Sequence, residues 1–244
     1  MEMIGEKMRI NADLLKDFVT KASLNGSIMS INLDFAEEGL KSAVKDTTDI
    51  ALTITSIGKD SFEEYSPMGE IFIKNSSALL EYLDRFEGNI EIEKLKDYLL
   101  YIYDDRKYAY ILLGSELVCE NVFRKEAPTI DTNVKVIFNK EDLITSLRDA
   151  RTLKVNKVTF DKKGNVFTVE VGTKEESDLL GTIVDISPES SGEGSIIIGP
   201  VFESLYASIS GEVVFSYGNG TALVVECGKD RPIKFKCIIA PRLE

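Results

Sequence analysis

Hydrophobic and polar residues alternate along most of this chain, and a few segments of helical spacing break the alternation. Met8 opens an extended run. Over Ala12–Ala22, Leu14, Leu15, Phe18 and Val19 recur at the three- and four-residue intervals of one helix face, and Asn11 stands where its side chain can cap the first turn. Asn25-Gly26 reads as a turn. The stretch SIMSINLDF then sets Ile28, Leu33 and Phe35 in the pattern of a strand. Glu38-Gly39 marks a hairpin, and Asp49–Ile57 forms a further strand. Glu70–Ile73 leads into a second helix near Ser76–Phe86, with Leu79, Leu80, Leu83 and Phe86 on its apolar side. Short strands follow at Ile90–Lys94, Tyr98–Tyr103 and Lys107–Leu113, the last two joined by a turn at Asp104-Asp105-Arg106.

From Ser115 to Thr132 the polarity is mixed and Pro128 interrupts it, as in a connector. The same order then returns. NVKVIF is a strand, and NKEDLITSLRDA a helix with Asn139 as cap and Asp142 completing a weak capping box. KVTFDKKGNVFTVEV is a hairpin turning at Asp161–Asn165, and TIVDIS a strand. GSIIIGPVFESLYASISG gives a strand and then a helix from Pro200. EVVFSYGNGTALVVEC is a hairpin with Gly218-Asn219-Gly220 at its tip, and PIKFKCIIAP a closing strand. The pattern predicts an α+β chain made of a duplicated half: a tail over 1–7, one domain over 8–116, a connector over 117–133 and a second domain over 134–244.

Charge and composition narrow the function. The chain has 244 residues, 43% of them hydrophobic, enough for two ordinary cores. Its 29 basic and 41 acidic residues leave a formal charge of -12, which argues against indiscriminate coating of nucleic acid but allows a local basic surface. There is no histidine, so Ser-His-Asp and Cys-His catalysis and the usual zinc chemistry are excluded. No phosphate-binding glycine motif occurs; GNGTALV lies between two strands and is a hairpin tip. The acidic groups Asp46/Asp49, Asp104/Asp105 and Glu175/Glu176/Asp178 read as solvated turns. Cys119, Cys227 and Cys237 match neither a disulfide framework nor a metal motif, which predicts an intracellular, reducing setting. The N-terminal MEMIGEKMRI is not a signal peptide, and no apolar run is long enough to span a membrane. These features predict neither enzyme activity, nor a cofactor, nor a metal site. Val122 and Phe123 in the connector and the two isoleucines of CIIAPRLE admit two readings: ends tied down to the body, or the wall of an apolar pocket for a partner peptide.

Four stretches, spread in order over most of the chain, carry a resemblance: EEGLKSAVKDTTDIALTI, FEEYSPMGEIFIKNSSALLEYLDRF, EVVFSYGNGTALVVE and the ending PIKFKCIIAPRLE. Together they resemble the DNA sliding clamps of the archaeal and eukaryotic type, the proliferating cell nuclear antigen family. The resemblance implies a clamp fold of two duplicated domains, with helices lining a ring and sheets outside. It implies a homotrimer that encircles double-stranded DNA without reading sequence and serves as a processivity factor. DNA polymerase, the clamp loader, flap endonuclease and ligase would dock through short peptides. The setting would be the cytoplasm of a prokaryote or of its virus-infected cell, or a eukaryotic nucleus. A clamp-fold paralogue in a heterotrimeric or checkpoint-type ring is the alternative.

Carried over by position, the resemblance assigns Lys16, Lys21, Lys74, Arg85, Lys140, Arg148 and Arg151 to the DNA-facing helices. It assigns Lys45, Ile50, Leu52, Phe123, Ile130, Ala222, Ile238, Ile239, Ala240 and Pro241 to the partner-peptide pocket. Tyr108, Tyr110 and Leu112 would meet the region around Ile183 of the next subunit. Two departures stand out: Lys45 occupies a place where the family often has Met, and the helix PVFESLYASIS has no basic residue.

Overall fold

The structure, a computed structural model, describes residues 7–95, 99–114, 122–123, 126–154, 157–172, 178–218 and 220–242. In the first half the elements run β1 (Lys7–Asn11), α1 (Ala12–Ala22), β2 (Ile31–Ala36), β3 (Gly39–Lys45), β4 (Ala51–Gly58), β5 (Gly69–Ile73), α2 (Ser76–Leu83), β6 (Asn89–Leu95), β7 (Leu99–Tyr103) and β8 (Tyr108–Leu112). In the second half they run β9 (Val134–Asn139), α3 (Ile144–Leu153), β10 (Val158–Lys163), β11 (Val166–Gly172), β12 (Leu179–Val184), β13 (Gly194–Ile198), α4 (Phe202–Ser208), β14 (Glu212–Tyr217), β15 (Leu223–Cys227) and β16 (Ile233–Ile239). The two series have the same order, strand, helix, four strands, helix, three strands. By contacts the chain divides into one unit of Met1–Thr47, Thr53–Arg124 and Asp230–Lys234 and another of Thr48–Leu52, Lys125–Lys229 and Phe235–Glu244.

The first unit is held by its two helices. Asn11 caps α1, its side-chain oxygen accepting the amides of Asp13 and Leu14 at 3.0 and 3.2 Å. Leu15, Phe18, Val19 and Ala22 are buried, as are Leu79 and Leu83 of α2, and α1 packs beside α2. Beyond α1 the backbone turns with positive φ at Leu24, Asn25 and Gly26, and the Thr53 hydroxyl donates to the free carbonyl of Ala22 at 2.6 Å. The strands follow the order β1-β6-β7-β8 and, separately, β5-β2-β3-β4.

In the second unit the corresponding strand orders are β9-β14-β15-β16 and β13-β10-β11-β12. Its core is aromatic. The Phe215 ring lies 4.8 Å from Phe138 and 5.1 Å from Phe160, and Phe160 also meets Phe167 and Phe202. Edge-to-face and tilted contacts dominate, as the ring quadrupoles favour.

Several element ends differ from the sequence expectation. β1 starts at Lys7 instead of Met8. The β2–β3 hairpin turns on Glu37-Glu38, because Ala36 already pairs with Gly39. α2 stops at Leu83, although Phe86 stays buried through a tighter turn in which its amide donates to the Leu83 carbonyl. β10 continues to Lys163, so the hairpin turn shrinks to Gly164-Asn165. Lys162 is buried there, its Nζ donating to the carbonyls of Gly164 and Gly192 at 2.6 and 2.9 Å. The third helix opens as a 3-10 turn over Lys140–Leu143, with the Asn139 amide donating to Asp142 at 3.2 Å. β12 starts at Leu179, before the expected TIVDIS, and α4 at Phe202. The expectations for Met1–Glu6, Tyr98 and most of the connector lie outside the described residues.

Phe215 sits at the centre of the aromatic cluster and is fully buried. Phe215→Ala is expected to lower unfolding free energy by about 3–5 kcal/mol, read from urea denaturation. A loss below about 1 kcal/mol would mean that the cluster is not the stabilising core of its unit.

Candidate functional site

Outer strands expose rows of backbone amides and carbonyls, and the chain covers most of its own. On β1, Arg9 exchanges hydrogen bonds with Glu64 and Glu63. On β5, Phe72 accepts from Gly114, beside the Ile73–Leu113 bridge. On β9, Lys135 and Ser191 bond both ways, and on β13 Ile197 accepts from Arg242. Among the described residues no such cover lies on β8 or β12. Among the described helices and strands, these two strands also carry the most exposed large apolar side chains: Tyr108 at 61%, Tyr110 at 52%, Leu112 at 71% and Ile183 at 72%. The assigned interface residues therefore sit on the two uncovered edges.

Sequence reading missed the aromatic stack behind β8. Tyr101 stacks on Tyr103 at 4.5 Å and on Tyr110 at 4.6 Å, while Tyr108 meets Tyr110 edge-on. Lys7 lies 5.6 Å over the Tyr103 ring and pairs with Glu91, whose carboxyl that pairing and a Tyr103 hydrogen bond hold below the usual range. Burial pushes the Tyr101 hydroxyl up. Leu180, exposed on β12, was missed as well, because alternation places it on the side of buried Val184.

The helices carry mixed charge. Lys16 pairs with Asp84 across α1 and α2. Lys21 is only 2% exposed and its ammonium is held by Asp17 one turn back, so its assignment to a DNA-facing surface does not fit its burial. The four-residue spacing Asp17–Lys21 was the sequence signal of that pair. Lys74 and Arg85 are exposed, just before and just after α2. In the other unit, Lys140 lies 4.7 Å over the Tyr206 ring, and Arg148 is exposed on α3. Arg151 reaches α4, where both Nε and Nη2 donate to Glu203 Oε1 at 2.9 and 2.6 Å. Of the assigned cations, Lys16, Lys21 and Arg151 are thus spent on carboxylates of the chain itself.

The assigned docking residues divide by exposure. In the first unit Lys45 and Phe123 are half-buried, and Phe123 donates its amide to the Ala43 carbonyl at 2.8 Å beside a Val44–Val122 bridge. A cleft of about 460 Å³ opens beside Val122 and Phe123, with Asn32, Asp34, Lys41 and Glu70 supplying its polar wall. In the second unit Ile50, Ile130, Ala222, Ala240 and Pro241 are half-buried, and the Ala240 amide donates to the Ile50 carbonyl at 2.8 Å. Leu52, Ile238 and Ile239 are buried; Ile239 is 0% exposed and faces Leu223. Their side chains are core in this chain, which favours the tied-down reading for that part of the ending.

Among the described residues no group of three or more His, Cys, Asp or Glu side chains is placed to hold a metal ion, and no helix is long and apolar enough to cross a membrane. Cys227 and Cys237 are buried free thiols.

Comparison with known proteins gives one consistent answer. No family model matches the chain. The DNA polymerase sliding clamp of Archaeoglobus fulgidus is 23% identical over 256 residues, spanning 96% of this chain and 97% of that protein. A structure of the C-terminal region of FEN-1 bound to A. fulgidus PCNA matches with a TM-score of 0.80 at 20% identity, over 98% of this chain and 99% of that one. PCNA from Entamoeba histolytica matches with a TM-score of 0.80 at 16% identity, covering 98% and 99% of the two chains. A PCNA2–PCNA3 complex from Sulfolobus tokodaii matches with 0.77 at 14%, covering 98% and 100%.

The burial of Ile239 sets a direct check on the closing strand. Ile239→Asp is expected to cost roughly 4 kcal/mol or more, because an apolar contact is lost and a charge is desolvated. Thermal melting followed by circular dichroism should drop sharply; an unchanged melt would contradict the core position of this side chain.

Proposed function

We propose that this chain, whose α+β fold is that of the PCNA-type DNA sliding clamps, closes with further copies of itself into a ring around duplex DNA. The ring would act as a processivity factor and docking platform, holding other proteins on DNA without catalysing a reaction itself. The observation that carries the reading is the pair of strands left uncovered among the described residues, β8 and β12, both of which expose large apolar side chains. Joining them head to tail uses two different surfaces at every junction, and such contacts end only when a ring closes. The full-length match to a DNA polymerase sliding clamp supports the same reading. A ring of unlike subunits is the second reading, favoured by the similarity to a PCNA2–PCNA3 complex. Light scattering on the purified single chain separates the two: three copies' mass for the first, one copy's mass for the second.

Double-stranded DNA would be held by topology more than by charge. A sliding ring needs diffuse phosphate attraction and no grip on base edges. Lys74, Arg85 and Arg148, exposed at the helices, would supply it, and the carboxylates among the helices weaken it. Loaded protein should therefore stay on circular DNA and leave promptly once the circle is cut; retention on linear DNA would sink the topological reading. Charge changes should act modestly. Glu203→Gln releases Arg151 and is expected to strengthen DNA binding about two- to threefold and steepen its salt dependence by about one ion. Arg148→Glu should do the reverse, with assembly unchanged. Fluorescence anisotropy at two salt concentrations measures both.

Partner docking is proposed on the second unit, where Ile50, Ile130, Ala222, Ala240 and Pro241 leave apolar surface half-open. A short peptide with two aromatic residues fits such a surface, since it buries large area at low entropic cost. The structure of FEN-1's C-terminal region bound to A. fulgidus PCNA favours peptides of that origin, with polymerase, clamp loader and ligase as further candidates. Ile130→Asp is expected to weaken such a peptide at least about tenfold, roughly 1.4 kcal/mol, without changing the thermal melt. Equal calorimetric affinity would move the docking surface elsewhere.

A further inference from the structure

We propose that Asp84 and Glu203 are positioning residues for sliding. Each holds a cation of the neighbouring helix, Lys16 or Arg151, between one phosphate contact and the next, so that the cation passes from phosphate to carboxylate and back. The proposal rests on the ring reading above and deepens it, giving the carboxylates among the helices a part in movement along duplex DNA.

Each unit has such a pair, and each pair bridges the two helices of its unit. In the first unit Lys16, within α1, reaches Asp84, the residue just past α2 that caps its C-terminal end. In the second, Arg151 in the last turn of α3 reaches Glu203 in the first turn of α4, with Nε and Nη2 on the same oxygen at 2.9 and 2.6 Å. All four side chains are roughly half exposed, so an incoming phosphate can reach them. Neither cation is used up. A lysine ammonium has three N–H donors and a guanidinium five. Lys16 gives one to Asp84, and Arg151 gives two to Glu203. A phosphate oxygen can therefore bind the remaining donors before the carboxylate lets go, and the carboxylate can return before the phosphate leaves. Exchange through that shared state never strands a cation without an anionic partner. By contrast, Lys74, Arg85 and Arg148 pair with no carboxylate among the described residues.

Two observations set these pairs apart from simple ties between helices. Asp84 stands at the C-terminal end of α2, where the helix carbonyls point and the helix dipole disfavours an acid. α2 by itself calls for a cation or a neutral residue at that place, so the carboxylate answers to Lys16. Exposed ion pairs, moreover, contribute little to folding, because water screens them and ordering the side chains costs entropy. That weakness is what an exchange partner needs. A pair held out of solvent keeps its cation from DNA, as at Lys21, which is buried with its ammonium on Asp17. The two exposed pairs also differ in chemistry, ammonium with aspartate in one unit and guanidinium with glutamate in the other. What they share is the electrostatic arrangement alone: a reachable cation and a carboxylate on the adjoining helix.

Single-molecule tracking measures the effect. Dye-labelled chain is assembled in the presence of duplex DNA tethered at both ends, and its diffusion along the DNA is followed; freeing one end then shows whether the particles run off. Asp84→Asn combined with Glu203→Gln is expected to slow diffusion about two- to fivefold, the factor by which losing an exposed ion pair shifts an exchange. Anisotropy should report tighter binding, and the thermal melt should stay unchanged. Glu81→Gln combined with Asp149→Asn removes the same charge from α2 and α3, at side chains that pair with no cation among the described residues. This control should diffuse like the unsubstituted chain. Asp84→Glu combined with Glu203→Asp keeps the charge and should recover most of the lost rate. Unslowed diffusion of the pair variant overturns the proposal, as does a charge-conserving variant that recovers nothing. Equal slowing in the control would make net charge the cause, and a melt of the pair variant well below the control's would make the pairs ties between helices; either result overturns it too. Particles that stay on once an end is freed, or an unsubstituted chain that is never retained on tethered DNA, remove the ring reading itself.

Discussion

Backbone hydrogen bonding at the outer strands is the constraint on which this structure turns. A sheet satisfies its amides and carbonyls from within except along its edges, and each edge must be hydrated, covered or paired. The chain covers β1, β5, β9 and β13 with short irregular segments around Glu64, Leu113, Ser191 and Arg242. Those segments would otherwise look like ordinary loops. Their common task explains why the polypeptide doubles back beside a strand four times. Against that background β8 and β12 differ in kind, having both a backbone uncovered among the described residues and apolar side chains that water solvates poorly.

Charge is handled with similar economy. The net charge of -12 is not confined to the sheets, because the helices carry carboxylates that take up their own lysines and arginines. An arginine held twice by one glutamate oxygen orients the side chain between α3 and α4, and Lys21 is drawn out of solvent altogether. Charge alone would make a poor DNA-binding protein of this chain. That fits a mode of association in which closure does the holding and the surface needs only to avoid repelling phosphate strongly.

The order of elements was legible because it depends on periodicity, and periodicity survives where identity does not. α1 runs over the residues expected from Leu15, Phe18, Val19 and the Asn11 cap, and both halves show the predicted succession. Element ends were less legible: the third helix begins in a 3-10 turn and α2 stops before Phe86, since terminal hydrogen bonds depend on neighbours that patterning does not report. Site residues split the same way. Exposure of Tyr108, Tyr110 and Leu112 follows from alternation beside an edge. Burial of Lys21 and Ile239 does not, because an i,i+4 carboxylate and a cross-strand leucine decide it.

Pairing of β8 and β12 with further copies, as proposed, would make stability a property of the solution as well as of the sequence. Whatever binds the folded chain but not the unfolded one adds free energy that grows with the logarithm of its concentration. If the proposed ring forms, dilution would therefore act as a mild denaturant, and a higher local concentration of the chain would act in the opposite sense. In that ring the exposed faces of β8 and β12 would couple how much of the protein is present to how firmly each copy is folded.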